Sequence, residues 1–536
     1  MSPTWGQFGK FRLNKPALTA VLFGHIFSAT IRQRSQGKGF NPLPGFRSVS
    51  RGSSRIAFFK DKEHPVSEQM NSAPGKTRMT YTELIDSSPM TPLFWLIIIG
   101  MCLAQMLDGM DFIATAFALP GIIREYKINP ALAGGISSIG NIGLALGAIF
   151  LPFVSDRVGR KPVFQWVLLT YALGSFLSAI APNYHFMLWA RFITGVGLGA
   201  EIPIVFAVLA EYCPIRLRHI VLPLAPIFFA IGWIVAALLS IWLIPVHGWR
   251  AIYWVGIVPA VLIVFIRRYV PESLRFLLIK GRTEEARRIA ESIARQAGRT
   301  DIELVPPVIA QSQVKPSFAQ QMRLLGPMWA ATLVQVIFYF SSFIQTFGVN
   351  FWLPTIFVRQ GFRLTSSFSY TLMIFIMTPF SHVIAMWLMP KMSRTWALFL
   401  MTTAGTVFFI LFGLSFEYKW PIYVLVGFQV IQTLSAQGVV SILYTLSSEL
   451  FPTPVRSLGL GIVSGVGRFG AVLGPFLMGM AFYWGLKISQ AIYLFAAPLF
   501  IAGVLALLVI RTETRKRALE DISSGGDQGS TVVAGH

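Results

Sequence analysis

The feature that most constrains this chain is the recurrence, from Leu93 onward, of apolar stretches as long as a bilayer is thick. A hydrocarbon core of about 30 Å takes roughly 17–25 residues of helix to cross, and several of the stretches exceed that length. A single signal peptide cannot account for all of them. With 54% hydrophobic and 13% charged residues, the chain is far more apolar than a soluble domain and has to be solvated by lipid. Taken in order, the runs predict helices at 93–120, 132–154, 162–181, 185–209, 220–244 and 250–270. After a polar break a second set follows at 328–349, 367–389, 396–416, 421–446, 457–484 and 488–510. An even count places both ends of the array on one side of the membrane.

The formal charge of +22 would suit a nucleic-acid binder if the cations formed a soluble basic surface. Here they lie between apolar runs, and their spacing decides the matter. One set of loops carries Arg157, Arg160 and Lys161; Arg216 and Arg218; Arg267, Arg268, Lys280, Arg287 and Arg288; Lys391 and Arg394; Arg456; and a tail with Arg511, Arg515, Lys516 and Arg517. The other set holds Arg124, Lys127, Arg250, Arg359, Arg363, Lys419 and Lys487. Lys and Arg near short loops hold those loops in the cytoplasm, so both termini and the central loop are expected there. The two cysteines, Cys102 and Cys213, suggest neither a disulfide framework nor a metal site. The sequence offers no pairing of nucleophile with base, no metal cluster and no phosphate loop. An enzyme is not expected, and neither is a cofactor.

Residues 1–88 differ from the rest in being rich in Arg, Lys, Ser, Gly and Pro, and are expected to be disordered. An organelle transit segment and a start read too far upstream, with Met70, Met79 or Met90 as the true start, are the alternatives. The expected organisation continues with a six-helix bundle at 89–270, a central cytoplasmic loop at 271–327, a second six-helix bundle at 328–510 and a tail at 511–536. Within the central loop, Thr283 to Arg299 reads as an amphipathic, charge-rich helix. The two sets of six share a repeat just after their fourth helices. Glu211-Tyr-Cys-Pro214-Ile-Arg216-Leu-Arg218 and Glu449-Leu-Phe-Pro452-Thr-Pro-Val-Arg456 both obey Glu-x-x-Pro-x-x-x-Arg.

The loop after the second helix reads Asp156-Arg157-Val158-Gly159-Arg160-Lys161. One carboxylate and three cations in a short loop can form charge-assisted bonds to neighbouring helix ends, making a latch on the cytoplasmic face. Glu211, Arg218, Glu449 and Arg456 would complete that gating network. The plainer alternative is a cytoplasmic loop that is merely basic.

This loop resembles the signature between helices two and three of the major facilitator superfamily, and Arg191-Phe-Ile-Thr-Gly195-Val-Gly197-Leu-Gly199 resembles its helix-four signature. The similarity runs from about Leu93 to Arg511. It implies an all-α membrane protein with twelve transmembrane helices in two pseudo-symmetric six-helix bundles. Pro152 departs from the loop signature, which usually has glycine there. The second-half counterpart, Met389-Pro-Lys391-Met-Ser-Arg394, lacks the aspartate, which argues against a symmetric latch. Within the superfamily, Asp108-Gly-Met-Asp111 resembles the signature of the aromatic acid/proton symporters and related metabolite/proton symporters. Phe351-Trp-Leu-Pro-Thr355 and Gly467-Arg468-Phe-Gly470-Ala-Val-Leu-Gly474-Pro475 are similar to the same group. Pro271-Glu-Ser-Leu-Arg275 resembles the sugar porters instead, but their paired glutamines in helix seven are not evident.

The buried charges bear on function independently of that resemblance. A carboxylate in a spanning helix costs about 2.5–3.5 kcal/mol on insertion scales unless it faces a cavity, is paired or is protonated. Asp108 and Asp111 are three residues apart, nearly on one helix face, and neighbouring carboxylates disfavour joint ionisation, as a proton carrier requires. The alternative is that one of them merely pairs with a cation near the interface. Arg191 and Arg468 are the matching cations, since arginine keeps its proton and needs an anionic partner or carbonyls. Arg468, flanked by glycines in helix eleven, is the expected holder of a substrate carboxylate; Arg191 would pair with the helix-one aspartates or join the coupling network. Glu201 is a further intramembrane acid for proton handling, and the residue that would favour a cationic substrate. His382 reads equally as a relay or a packing residue. Tyr339, Phe340, Phe343, Trp352, Tyr370 and Tyr444 would line an aromatic pocket, or pack.

The expected function is secondary active transport by alternating access, with protons bound at the helix-one carboxylates and a small organic anion, such as an aromatic acid, held at Arg468. A sugar, polyol or organic-cation porter is the alternative, and a membrane sensor without transport is the reading from another class. The protein is expected to work as a monomer in a cell inner membrane or plasma membrane.

Overall fold

The computed structural model describes residues 77–299, 302–306, 318–451 and 455–510. The expectations for residues 1–76, for the tail at 511–536, for Pro452 and for much of the central loop after Pro306 fall outside the described residues.

Among the described residues, twelve helices are long and apolar enough to cross a membrane. They are labelled α1 (Pro92–Tyr126), α2 (Pro130–Ser155), α3 (Arg160–Ala179), α4 (Tyr184–Tyr212), α5 (Leu224–His247), α6 (Arg250–Tyr269), α7 (Ala319–Asn350), α8 (Leu364–Leu388), α9 (Arg394–Glu417), α10 (Ile422–Leu450), α11 (Leu458–Tyr483) and α12 (Ile488–Val509). Lipid supplies no hydrogen bonds, so each span has to satisfy its own backbone, and helices do so. Their starts are written locally. The side chains of Thr91, Asn129, Asn183 and Ser393 accept N–H bonds in the first turns of α1, α2, α4 and α9, and Pro92 and Pro130 open α1 and α2, as first-turn prolines do. All twelve expected spans are present, though α1 runs past Pro120 to Tyr126 and α7 begins at Ala319.

Packing follows the duplication. In the first half α1 lies against α5 and α2 against α4; in the second half α7 lies against α11 and α9 against α10 and α12. The halves meet through α2 with α11 and α5 with α8.

The end of the expected disordered extension is ordered. Strand β1 (Thr77–Thr80) pairs in parallel with β2 (Ile302–Val305), and a short helix, Tyr81–Ser87, follows. Thr80 and Glu83 close a capping box, which satisfies two orphan amide donors at once. Tyr81, Leu84 and Ile85 are buried in the same core cluster as Ala286, Ala290 and Ile293 of the Thr283–Gln296 helix. Arg299 donates to the Ser87 hydroxyl and carbonyl, and Asp86 accepts from the Ile215 amide at 2.9 Å. Residues 77–88, the described end of that polar stretch, thus form a small cap held by the buried side chains of Tyr81, Leu84 and Ile85.

Candidate functional site

Two carboxylates enter the interior from α1. Asp108 and Asp111 are each 1% exposed, and Gly109 between them lets α5 come close, since a Cβ there would stand 2.0 Å from the Phe229 carbonyl oxygen. Asp111 is fully partnered. Its Oδ2 is 3.1 Å from Arg191 Nη2 on α4, and its Oδ1 accepts the Ser175 hydroxyl of α3 at 2.6 Å. The Arg191 guanidinium also lies over the Tyr253 ring, 5.3 Å from its centre. Asp108 has less: the Gln105 amide donates to Oδ2 at 3.3 Å, and Oδ1 has no hydrogen-bond partner. Glu201 of α4 is fully buried beside Asp108 and Gln105, and neither of its carboxylate oxygens has a hydrogen-bond partner.

Between the halves lies a cavity of about 190 Å³. Phe112 of α1, Phe229 and Trp233 of α5 and Phe343 and Phe347 of α7 make an aromatic wall, with the Phe112 and Phe347 rings 5.3 Å apart. Asp108 lines it from the first half; Arg468, His382 and Tyr444 line it from the second. Arg468 Nη1 is buried without a hydrogen-bond partner, while His382 Nδ1 lies 2.6 Å from the Ser441 hydroxyl. On the side away from the basic loops the halves are stitched together. Ser138 donates to the Val472 carbonyl at 2.6 Å and Asn141 to the Ala471 carbonyl at 2.9 Å.

Of the residues expected at a substrate site, Arg468, His382 and Tyr444 are therefore brought together, and Phe343 with them. Tyr339 and Trp352 are not among the lining residues. Tyr339 is turned so that its hydroxyl meets Ser447 of α10 at 3.3 Å, and the Trp352 indole N–H donates to the Pro475 carbonyl at 3.0 Å. Both buried polar tips find partners in the packing instead. Asp111, Arg191 and Glu201 also lie outside that lining, although Arg191 borders a smaller void of about 20 Å³ next to it. The residues that sequence reasoning missed are Phe112, Phe229, Trp233 and Phe347. Phe112 directly follows Asp111, but aromatic residues are spread over every span and nothing in their spacing singles these out.

The expected gating residues form two similar arrangements, one in each half. Arg160 at the start of α3 pairs with Glu211 at the end of α4, and Arg394 at the start of α9 pairs with Glu449 at the end of α10 at 3.0 Å. Arg218 Nε donates to the Cys213 carbonyl and Arg456 Nε to the Phe451 carbonyl, each five residues back. The missing aspartate of the second-half loop leaves these ion pairs alike in the two halves, since Arg394 takes the place that Arg160 holds in the first. Lys161 Nζ donates to the Arg267 carbonyl at 2.9 Å, and Arg157 is exposed. The side chain of Asp156 lies outside the described residues.

Glu272 is the missed member of this cluster. Its carboxylate accepts the backbone N–H groups of Arg160 and Lys161, capping α3. Gly159 makes room for it: the residue sits at φ 119, and a Cβ there would stand 2.5 Å from Glu272 Oε2. Among the described residues no group of three or more His, Cys, Asp and Glu side chains is placed to hold a metal ion.

The comparisons with known proteins agree on the kind of molecule this is. The family model described as "Sugar (and other) transporter" matches residues 98–525. A niacin transporter from Acinetobacter baylyi is 30% identical over 449 residues, 83% of this chain and 100% of that one. A 4-hydroxybenzoate transporter from the same organism is 28% identical, over 74% of this chain and 86% of that one. Among solved structures, a D-xylose-proton symporter superposes with a TM-score of 0.64 at 16% identity, covering 79% of this chain and 99% of that chain. At that identity the superposition speaks for the fold alone. With a family model spanning most of the twelve helices and the duplicated two-bundle architecture beneath it, the chain belongs to the sugar (and other) transporter family of the major facilitator superfamily, and is a multi-pass membrane transporter.

Proposed function

We propose that the protein is a proton-coupled symporter of small aromatic carboxylates. The observation that carries this is Arg468, whose buried Nη1 has no partner and borders an aromatic-walled cavity. A guanidinium keeps its charge at any physiological pH and is costly inside a membrane without an anion. Its planar fork matches a carboxylate in a bidentate geometry. Phe112, Phe347 and Trp233 offer ring faces and edges on which a flat ring packs. The relatives named for niacin and 4-hydroxybenzoate both carry aromatic acids, so their names favour the same substrate class. Buried carboxylates on α1 and α4 would take the proton.

In this reading the basic face lies in the cytoplasm, as the positive-inside rule directs. The protein sits in a cell inner or plasma membrane and works as a monomer, because each chain holds a whole cavity between its own two halves. The halves rock about that cavity, and the present arrangement, stitched through α2 and α11, is the one closed on the side away from the basic face.

An organic cation is the second reading, favoured by the Asp108 carboxylate on the cavity wall. The test is flux in liposomes with labelled nicotinate and 4-hydroxybenzoate, competed with sugars and amines. Uptake that rises with an inward proton gradient, is inhibited by aromatic acids and is lost in Arg468→Gln is expected. Competition by amines but not by acids, or flux indifferent to the gradient and to an uncoupler, would overturn the proposal.

A further inference from the structure

Among the described residues three tryptophans are buried, and two of them place the indole N–H on an acceptor. Trp249 donates to Glu125 Oε2 at 2.7 Å and Trp352 to the Pro475 carbonyl at 3.0 Å. Trp233 of α5 is the exception. It is 2% exposed, it lines the cavity between the halves, and its Nε1 has no hydrogen-bond partner. An indole nitrogen only donates, so a buried N–H left idle carries its full desolvation cost until an acceptor arrives.

The ring is fixed where it stands. It lies nearly parallel to Phe112, at 11° with ring centres 6.5 Å apart, and meets the tilted rings of Phe229 and Phe375 at 6.2 and 5.1 Å. Gly232 beside it lets α5 press onto α1, since a Cβ there would stand 2.1 Å from the Met106 carbonyl oxygen. The other idle polar atoms on the cavity wall have less need of a ligand donor or acceptor. The hydroxyls of Thr346 and Thr378 have no partners, but a helical threonine hydroxyl can turn to a carbonyl of its own preceding turn. Asp108 Oδ1 is an idle acceptor on the same wall, and the indole does not reach it. Two idle groups remain that donate and cannot accept: Arg468 in the second half and Trp233 in the first.

We infer that Trp233 is a specificity-determining residue, whose indole N–H takes a hydrogen-bond acceptor on the aromatic ring of the substrate while Arg468 takes its carboxylate. This rests on the aromatic-carboxylate reading above and narrows it to acids whose ring carries a second acceptor, a pyridine-type nitrogen or a hydroxyl oxygen. A ring C–H at that place leaves the indole N–H unpaired. A ring nitrogen there, with no donor to meet it, would lose its water without return. The indole on α5 and the guanidinium on α11 belong to opposite halves, so a ligand with an acceptor at each end holds both of the bodies that must move.

The experiment uses the full-length protein in liposomes under an inward proton gradient and compares labelled acids of matched shape. Nicotinate and benzoate differ by a nitrogen in place of a ring C–H; 4-hydroxybenzoate and 4-methylbenzoate differ by a hydroxyl in place of a methyl. The wild type is expected to favour the acceptor-bearing acid of each pair by about 3- to 10-fold in KM, the worth of one hydrogen bond. The nicotinate pair decides, because a hydroxyl can also donate. In Trp233→Phe, which keeps an aromatic ring and loses the N–H, the KM ratio is expected to fall to one or to reverse. Each ratio compares two acids in the same protein, so a general loss of packing leaves it unmoved. A wild type without a preference for nicotinate over benzoate, or a preference that survives in Trp233→Phe, would overturn the inference while leaving the symport reading in place. Loss of the preference in Thr346→Val or Thr378→Val but not in Trp233→Phe would overturn it too. If Trp233→Phe does not fold, 3-benzothienylalanine introduced in place of Trp233 keeps the bicyclic shape without the N–H and is read in the same way. A wild-type protein that takes up none of the four acids removes the aromatic-carboxylate reading itself.

Discussion

Alternating access requires the contact between α2 and α11 to open, and the structure shows what holds it shut and how to wedge it. Gly134 of α2 faces the Pro475 carbonyl and Gly479 of α11 faces the Pro130 carbonyl; a Cβ at either glycine would stand 2.4 Å from the opposing oxygen. Ordinary van der Waals contact begins at 3.4 Å, so Gly134→Ala asks the helices to part by the difference, 3.4 − 2.4, or about 1 Å. Overpacking of this kind costs about 1–3 kcal/mol. That cost falls only on the state in which the two helices touch. The closed arrangement is therefore disfavoured against its open alternative by about 5- to 150-fold, and more if the Ser138 and Asn141 hydrogen bonds across the same seam are lost with it. The assay is labelling of a cysteine at Ser137, which is 5% exposed beside the seam, by a membrane-impermeant maleimide applied from the side away from the basic loops. Cys102 and Cys213 are first replaced. Gly134→Ala is expected to raise the labelling rate within that range. An unchanged rate in folded, transport-competent protein would refute the reasoning, because it would mean that this seam is not what separates the two states.

The same substitution inside one half should act differently. Gly195→Ala on α4 places a Cβ 2.0 Å from the Gly140 carbonyl of α2, a contact present in every state, so thermal unfolding in detergent should show a loss of about 1–3 kcal/mol with no rise in Ser137 labelling. Gly427→Ala on α10 meets nothing within 4 Å and should leave the melting temperature unchanged or raise it, by up to about 1 kcal/mol of helix preference. Arg468→Lys keeps the charge and loses the planar fork, and should raise the KM for aromatic acids by about 10- to 100-fold, equivalent to one charge-assisted hydrogen bond; an unchanged KM would place the substrate carboxylate elsewhere. The Thr80 amide and hydroxyl hold the Glu83 carboxyl below its ordinary range. With a folded value below the unfolded one, the capping contribution to the Tyr81–Ser87 helix is fully present above the ordinary range and is lost as pH falls through the lowered value. The protection factors of that helix's amides, measured against the intrinsic exchange rate at each pH, should fall in acid, and in Glu83→Gln they should lose that pH dependence.

The spans were legible because lipid permits few alternatives: an apolar run of the right length has to be a helix. The pairing of Arg191 with the α1 aspartates was legible for a related reason, since a buried guanidinium must find an anion. Which aspartate it takes was not, because Asp108 and Asp111 share a helix face and only the fold sets Arg191 and Ser175 against one and Glu201 against the other. Whether Tyr339 and Trp352 line the cavity or pack was not legible for want of any contrast, as aromatic side chains serve packing and lining with the same chemistry. Glu272 was hidden because its partners are backbone amides, which carry no residue identity. The symmetry of the basic ends was half visible: the Glu-x-x-Pro-x-x-x-Arg repeat gave Glu211 and Glu449, but their partners Arg160 and Arg394 lie at the starts of α3 and α9, in loops that had diverged. That divergence stops at the surface in one respect and continues inside in another. The helix ends kept the same ion pairs in both halves, as two bodies that hinge at matching points would need. The interiors did not: Asp108, Asp111 and Glu201 all come from the first half, and Arg468 and His382 from the second. Asp108 and Arg468 line a single cavity from opposite halves, so on the proposed reading a charge bound at either would change the field felt by the other.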